Sequence, residues 1–307
     1  MNPFKNAQNV FEHLRPRLGT LIIIMMSSLM AACSTPPVAP PPTPAPKVKI
    51  GLALGGGAAK GFAHIGVIKM LEANGIQVEV VAGTSAGSVV GALYASGMDA
   101  FTLQERAFSL DESQIRDVNL LGGGLIKGQK LQDYVNQLVG NKAINQFAKP
   151  FAAVATELDT GKKIAFNRGN AGQAVRASSS IPGIFMPVSI ANKKYVDGGV
   201  VSPVPVDAAR DLGANFVIAV DISSKANNQT ASTSTLGVMN QAIVIMGQKL
   251  GEQELARADI VIRPKVGKIG ASDFDMKNVA ILEGEKAALA MLPLIKQKLA
   301  ERSKPTP

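Results

Sequence analysis

Tryptophan is absent from the 307 residues and aromatic side chains make up only 5%. Stacking platforms for single-stranded nucleic acid are therefore scarce. Cys33 is the only cysteine, so no intramolecular disulfide can form. Histidine occurs twice, at His13 and His64, and not at all beyond residue 64. That excludes the common hydrolase order in which a catalytic His follows the Ser and the acid. No His/Cys/Asp/Glu cluster has the spacing of metal ligands, so neither a metal nor another cofactor is expected. The formal net charge is +9, yet Lys and Arg are dispersed without a run of five or six. Attraction to an anionic membrane surface fits that pattern better than nucleic-acid binding.

What is present is an ordinary globular balance, 46% hydrophobic and 18% charged, behind a targeting segment. Lys5, Arg15 and Arg17 precede an uncharged, largely apolar stretch, 18–30, and then Ala31 and Ala32 lead into Cys33. This is the order of a secretory signal rather than of a permanent span. Leu29-Met30-Ala31-Ala32-Cys33 resembles the bacterial lipoprotein box, with Met30 where that box usually has Leu. The resemblance implies cleavage after residue 32 and lipidation of Cys33, so 1–32 reads as a signal peptide. Ser34, rather than Asp, implies an outer-membrane anchor facing the periplasm. Residues 34–46 contain seven prolines and no charge; at about 3.1 Å per residue this spacer reaches roughly 40 Å. The domains are thus 1–32, the lipidated Cys and Pro-rich linker 33–46, and one globular domain, 47–307.

From Lys47 strand and helix signals alternate. Strands are expected at 48–54, 78–82, 151–157, 163–167, 216–222 and 260–263, and helices at 59–74, 86–96, 205–212, 236–255 and 279–299. Residues 99–150 read as mostly helical, broken at Gly122-Gly123-Gly124. The polar stretch 223–235 reads as a loop. Met239, Met246, Met276 and Met291 read as core filler. Repeated βα units predict an α/β fold of three α/β/α layers around a mainly parallel sheet.

Gly83-Thr84-Ser85-Ala86-Gly87 lies between an expected strand and an expected helix. That is the setting of a nucleophile elbow, with Ser85 at the turn and Gly83 and Gly87 removing side chains that would clash. An inactive Gly/Ser turn is the plainer alternative. Gly55-Gly56-Gly57-Ala58-Ala59-Lys60-Gly61 also opens a helix. It departs from a Walker loop because Lys60 is followed by Gly61, and from a dinucleotide fingerprint because the third Gly position is Lys60. Backbone amides of Gly55, Gly56 and Gly57 facing a developing oxyanion remain the best chemical use of the loop. With no late histidine, the base for Ser85 is His64 from an unusual place or a carboxylate. Asp197-Gly198-Gly199 is the preferred acid, since the two glycines allow close approach, and Asp221 is the alternative. Asp-Gly is also an ordinary turn dipeptide.

These elements in this order resemble bacterial patatin-like phospholipases over about residues 49–293. Arg176-Ala177-Ser178, Ser180-Ile181-Pro182-Gly183, Phe185-Met186-Pro187, Gly66 and Asp259-Ile260-Val261-Ile262-Arg263-Pro264 carry the likeness further. The resemblance implies a lipid acyl hydrolase with Ser85 as nucleophile, Asp197 as base and Gly55, Gly56 and Gly57 as the oxyanion loop. Its substrates are membrane lipids; oligomeric state is left open. A catalytically silent lipid-binding or envelope-scaffold protein is the competing class. His64 is expected to be structural, packing toward the sheet with Ile68 and Leu71 and bonding a nearby backbone carbonyl.

Overall fold

Five apolar or glycine residues, Ile50–Leu54, form strand β1, and every one of them is buried. The same full burial marks β2 (Val80–Thr84), β3 (Phe151–Glu157) and β7 (Phe216–Val220), as expected for strands covered on both faces. The computed structural model describes residues 47–118, 126–223 and 234–304. The signal segment, Cys33, the linker, the glycine triplet 122–124 and most of the 223–235 stretch lie outside the described residues.

Among the described residues the sheet has eight strands, in the order β5-β6-β3-β2-β1-β7-β8, with β4 (Lys163–Phe166) also paired to β3. β3, β2, β1, β7 and β8 (Ile260–Ile262) are parallel neighbours. β4, β5 (Val188–Ile190) and β6 (Lys193–Asp197) add antiparallel pairing beyond them. Alternation along each strand divides the core into two layers. Leu52, Leu54, Val81, Phe216, Ile218 and Val220 face helices α1 (Phe62–Ala73), α2 (Ala86–Ala95) and α8 (Lys277–Arg302). Ala53, Val80, Ala82, Val217 and Ala219 face α6 (Val206–Asp211) and the end of α7 (Thr235–Leu255). The three-layer α/β/α expectation is therefore met, with a mixed edge. α1 and α8 cross closely enough that a Cβ on Gly66 would stand 2.0 Å from the Ile281 carbonyl oxygen.

Three local expectations need correction. The helix expected from residue 59 begins as a 3-10 turn, Ala58–Gly61, because the Ala59 amide is drawn to the Ala271 carbonyl and Lys60 bonds back to Gly57. The 99–150 region is helical only at α3 (Ala100–Ser109) and α4 (Gln129–Leu138), with short 3-10 turns, among the described residues. Met239, Met246 and Met276 are exposed and only Met291 packs against the core. Helical spacing marks a shared face but not whether anything covers it.

Candidate active site

β3 brings the two expected catalytic residues together. On one edge it pairs with β2 up to Thr84 opposite Val154, where the chain turns at Ser85. β4 pairs with Ala153 to Thr156 of the same strand. Because β4 shares Val154 with β2 and Ala155 with β6, both β2 and β6 lie on the edge opposite β4. β6 thus occupies the length of β3 that β2 vacates, and it ends at Asp197 opposite Ala155. Two strands running toward each other along one edge meet with Ser85 and Asp197 at their tips. Gly198 sits at this junction, where a Cβ would fall 2.1 Å from the Val154 carbonyl oxygen and 3.1 Å from Thr84 Cγ2.

Ser85 turns sharply, at φ 53° and ψ −126°, immediately before α2. A non-glycine residue in that region stores strain and persists because its surroundings fix it. Its amide donates to Ser178 Oγ (3.0 Å), its carbonyl accepts from Ser88 Oγ (2.7 Å), and Thr84 Oγ1 donates to the Ser202 carbonyl (2.8 Å). The elbow needs its glycines: a Cβ on Gly83 would be 2.3 Å from the Gly87 carbonyl oxygen, and one on Gly87 2.1 Å from that of Leu54.

Asp197 is buried, with its amide on the Ser180 carbonyl (2.9 Å) and its carbonyl accepting from Thr156 Oγ1 (2.9 Å). Oδ1 accepts the Gly199 amide at 2.7 Å, which explains a glycine there, since a Cβ would lie 3.0 Å from that oxygen. Oδ2 is buried and accepts no hydrogen bond among the described residues. The Ser85 hydroxyl is close enough to the carboxylate to favour its ionised form. Burial raises the Asp197 pKa from 3.8 to about 6, while Ser85 and the Gly199 amide pull it down.

The glycine loop is only partly what the sequence suggests. The Gly55 amide donates to the Val220 carbonyl and the Gly56 amide to that of Pro203, both at 3.0 Å. These two donors are committed to the sheet and to the loop after β6, so they are withdrawn from the expected oxyanion set. The amides of Gly57, Ala58 and Ala86 make no hydrogen bond among the described residues, as befits the first donors of a helical turn. Ala58 has φ 50° and lines the same cavity as Ser85 and Ala86. Gly56 packs behind Ser85, where a Cβ would be 3.2 Å from Ser85 Cβ.

His64 is fully buried, and Nε2 donates to the Gly55 carbonyl at 2.8 Å. Burial lowers its pKa to about 4, against the opposing influence of that bond and of Asp221. It is a neutral brace under the glycine loop. Asp221 accepts Ser223 amide and hydroxyl bonds at 3.0 and 2.6 Å and pairs with Arg263 at 3.4 Å. It lines a separate cavity of about 390 Å³ with Lys60 and Arg263. Ser85 opens instead into a cavity of about 200 Å³ walled by Phe62, Val89, Leu131, Ile181, Phe185 and Phe274.

Sequence reasoning gave no role to Ser178, which holds the Ser85 amide while donating to the Val154 carbonyl at 2.6 Å. Nor did it find Glu254, whose buried carboxylate fixes the 202–204 loop through Ser202 Oγ and the Val204 amide. Burial raises the Glu254 pKa, opposed by those two bonds. The Arg176-Ala177-Ser178 motif was the only available signal for the first; the second had none.

With this geometry in view, residues 52–210 match the family model described as patatin-like phospholipase, and the chain belongs to that family. An uncharacterized NTE family protein of Mycobacterium tuberculosis is 38% identical over 179 residues, covering 57% of this chain and 49% of that protein. Another from the same organism is 29% identical over 269 residues, covering 79% and 46%. The chain spans about half the length of these relatives. Patatin-like phospholipase domain-containing protein 6 of Mus musculus is 33% identical over 184 residues, covering 57% of the chain and 14% of that protein. In the crystal structure of VipD from Legionella pneumophila the same fold recurs at TM-score 0.54 and 14% identity, covering 81% of this chain and 67% of that one.

Proposed function

We propose that this protein is a membrane-anchored serine hydrolase of lipid acyl esters, working through a Ser85–Asp197 dyad. The observation that carries the reading is the meeting of β2 and β6 on one edge of β3. It sets a strained serine against a buried carboxylate beside an apolar cavity. An ordinary aspartate, with a pKa of about 3.9, is a poor base for serine. A pKa raised to about 6 leaves Asp197 ionised at neutral pH yet better able to hold a proton in passing.

Asp197 takes the Ser85 proton as Oγ attacks the ester carbonyl carbon. The amides of Gly57 and Ala58 in the glycine loop, and of Ala86 at the positive end of α2, are the donors available to the oxyanion. The carbon–oxygen bond to the alcohol breaks, and Asp197 returns the proton to that oxygen. Water then gives a proton to Asp197, attacks the acyl-enzyme, and releases the fatty acid as Ser85 recovers its proton. The acyl chain takes the apolar cavity. The signal segment, Cys33 and the proline spacer support an outer-membrane lipoprotein facing the periplasm, which keeps the domain beside its substrate. A panel of phospholipid, lysophospholipid and simple acyl esters tests the reading. Release of fatty acid by the wild type and not by Ser85→Ala is expected; equal release by both refutes it.

A further inference from the structure

Ser178, Ser179 and Ser180 leave the end of α5 (Ala171–Ser178) as three consecutive buried serines. The first binds the nucleophile, through its hydroxyl on the Ser85 amide. The third binds the base, through its carbonyl on the Asp197 amide (2.9 Å), and its own hydroxyl donates to the Arg176 carbonyl (2.8 Å). Ser179 lies between them. Its hydroxyl is buried with no hydrogen-bond partner among the described residues, and the residue lines the cavity that Ser85 opens into. A buried hydroxyl left unpaired is destabilising, so its persistence calls for a ligand.

We propose that Ser179, on the dyad reading above, is a further catalytic residue whose hydroxyl binds the leaving-group oxygen during acylation and the attacking water during deacylation. The side of the site decides this role. The free amides of Gly57, Ala58 and Ala86 belong to the glycine loop and the start of α2, and they define where the oxyanion goes. Ser179 lies between Ser178, which holds the Ser85 amide, and Ser180, which holds the Asp197 amide, so its segment runs from the nucleophile to the acid, and the leaving oxygen must lie toward the acid that returns its proton. Water attacks from the place the alcohol vacates, by microscopic reversibility. Ser179 transfers no proton of its own. It donates a hydrogen bond to the ester's alkyl oxygen while that oxygen gains charge and then the Asp197 proton. In the second half it holds the water whose proton passes to Asp197.

The test is Ser179→Ala in the full chain, on two monomeric esters of one acyl group, a nitrophenyl ester and an ethyl ester. Nitrophenolate needs little help to leave; ethoxide needs much. The expected result is a fall of about tenfold or more in kcat/KM for the ethyl ester, against less than about threefold for the nitrophenyl ester. The deacylation rate should also fall about tenfold, while thermal stability is not lowered. Equal losses on both esters would mark a merely structural role, and no loss on either would remove any role; each overturns the proposal. Ser85→Ala and Asp197→Asn, run alongside, report on the dyad separately, since loss of both esters by each upholds that reading whatever Ser179→Ala does.

Discussion

Replacing Asp197 with asparagine should make the protein more stable and catalytically dead. Burial raises the carboxyl pKa from 3.8 to about 6, a difference equivalent to about 3 kcal/mol between its two protonation states. The folded form therefore holds a proton between pH 3.8 and about 6 that the unfolded chain has released. Stability from this group is full below pH 3.8, is lost as pH rises through 6, and stays lost above it. Asparagine carries no such penalty. Its side-chain oxygen can still accept the Gly199 amide, now 2.7 Å from Oδ1, and its NH2 can donate to Ser85. Urea unfolding should show Asp197→Asn more stable than wild type by about 2–3 kcal/mol at pH 8, with the gap closing near pH 4. The acid limb of wild-type kcat/KM should follow ionisation of the same group, with an apparent pKa of about 6. A folded asparagine variant no more stable at pH 8, or one whose advantage is independent of pH, would refute the argument from burial.

His64 runs in the opposite direction. Its pKa falls from 6.5 to about 4 in the fold, so its stability is full above pH 6.5 and is lost as pH drops toward 4. His64→Gln should abolish that loss, worth about 3 kcal/mol, while turnover at pH 7.5 stays within about threefold of wild type; unfolding curves and ester hydrolysis of the variant read both. Between pH 4 and 6 the two residues oppose each other, so single variants reveal what the wild-type curve conceals. Cys33→Ser should abolish incorporation of a fatty-acid analogue during growth and release the protein from membranes or leave it uncleaved. Labelling that survives the substitution refutes the lipoprotein assignment.

The elbow was legible because its geometry is local. Gly83, Ser85 and Gly87 sit within five residues, and the strand and helix that flank them declare themselves by composition. Asp197 was reached by elimination, from the absence of a late histidine, and nothing near it in sequence showed that β6 fills the edge of β3 beyond β2. His64 was legible through helical spacing with Ile68 and Leu71, all fully buried. The glycine loop was read less well. Gly55 and Gly56 spend their amides on Val220 and Pro203, partners far along the chain that no local pattern announces. The outward Met239 and Met246 failed for a related reason, since periodicity cannot say which face of a helix another element covers.

The dyad itself is tested most directly by hydrolysis of one monomeric acyl ester at pH 7.5 by four folded variants. Ser85→Ala and Asp197→Asn should each lose activity by about a thousandfold or more, while Asp221→Asn and His64→Gln keep most of it. A folded Asp197→Asn that retains substantial turnover while Asp221→Asn does not would contradict the choice of base. His64→Gln as inactive as Ser85→Ala would contradict the dyad.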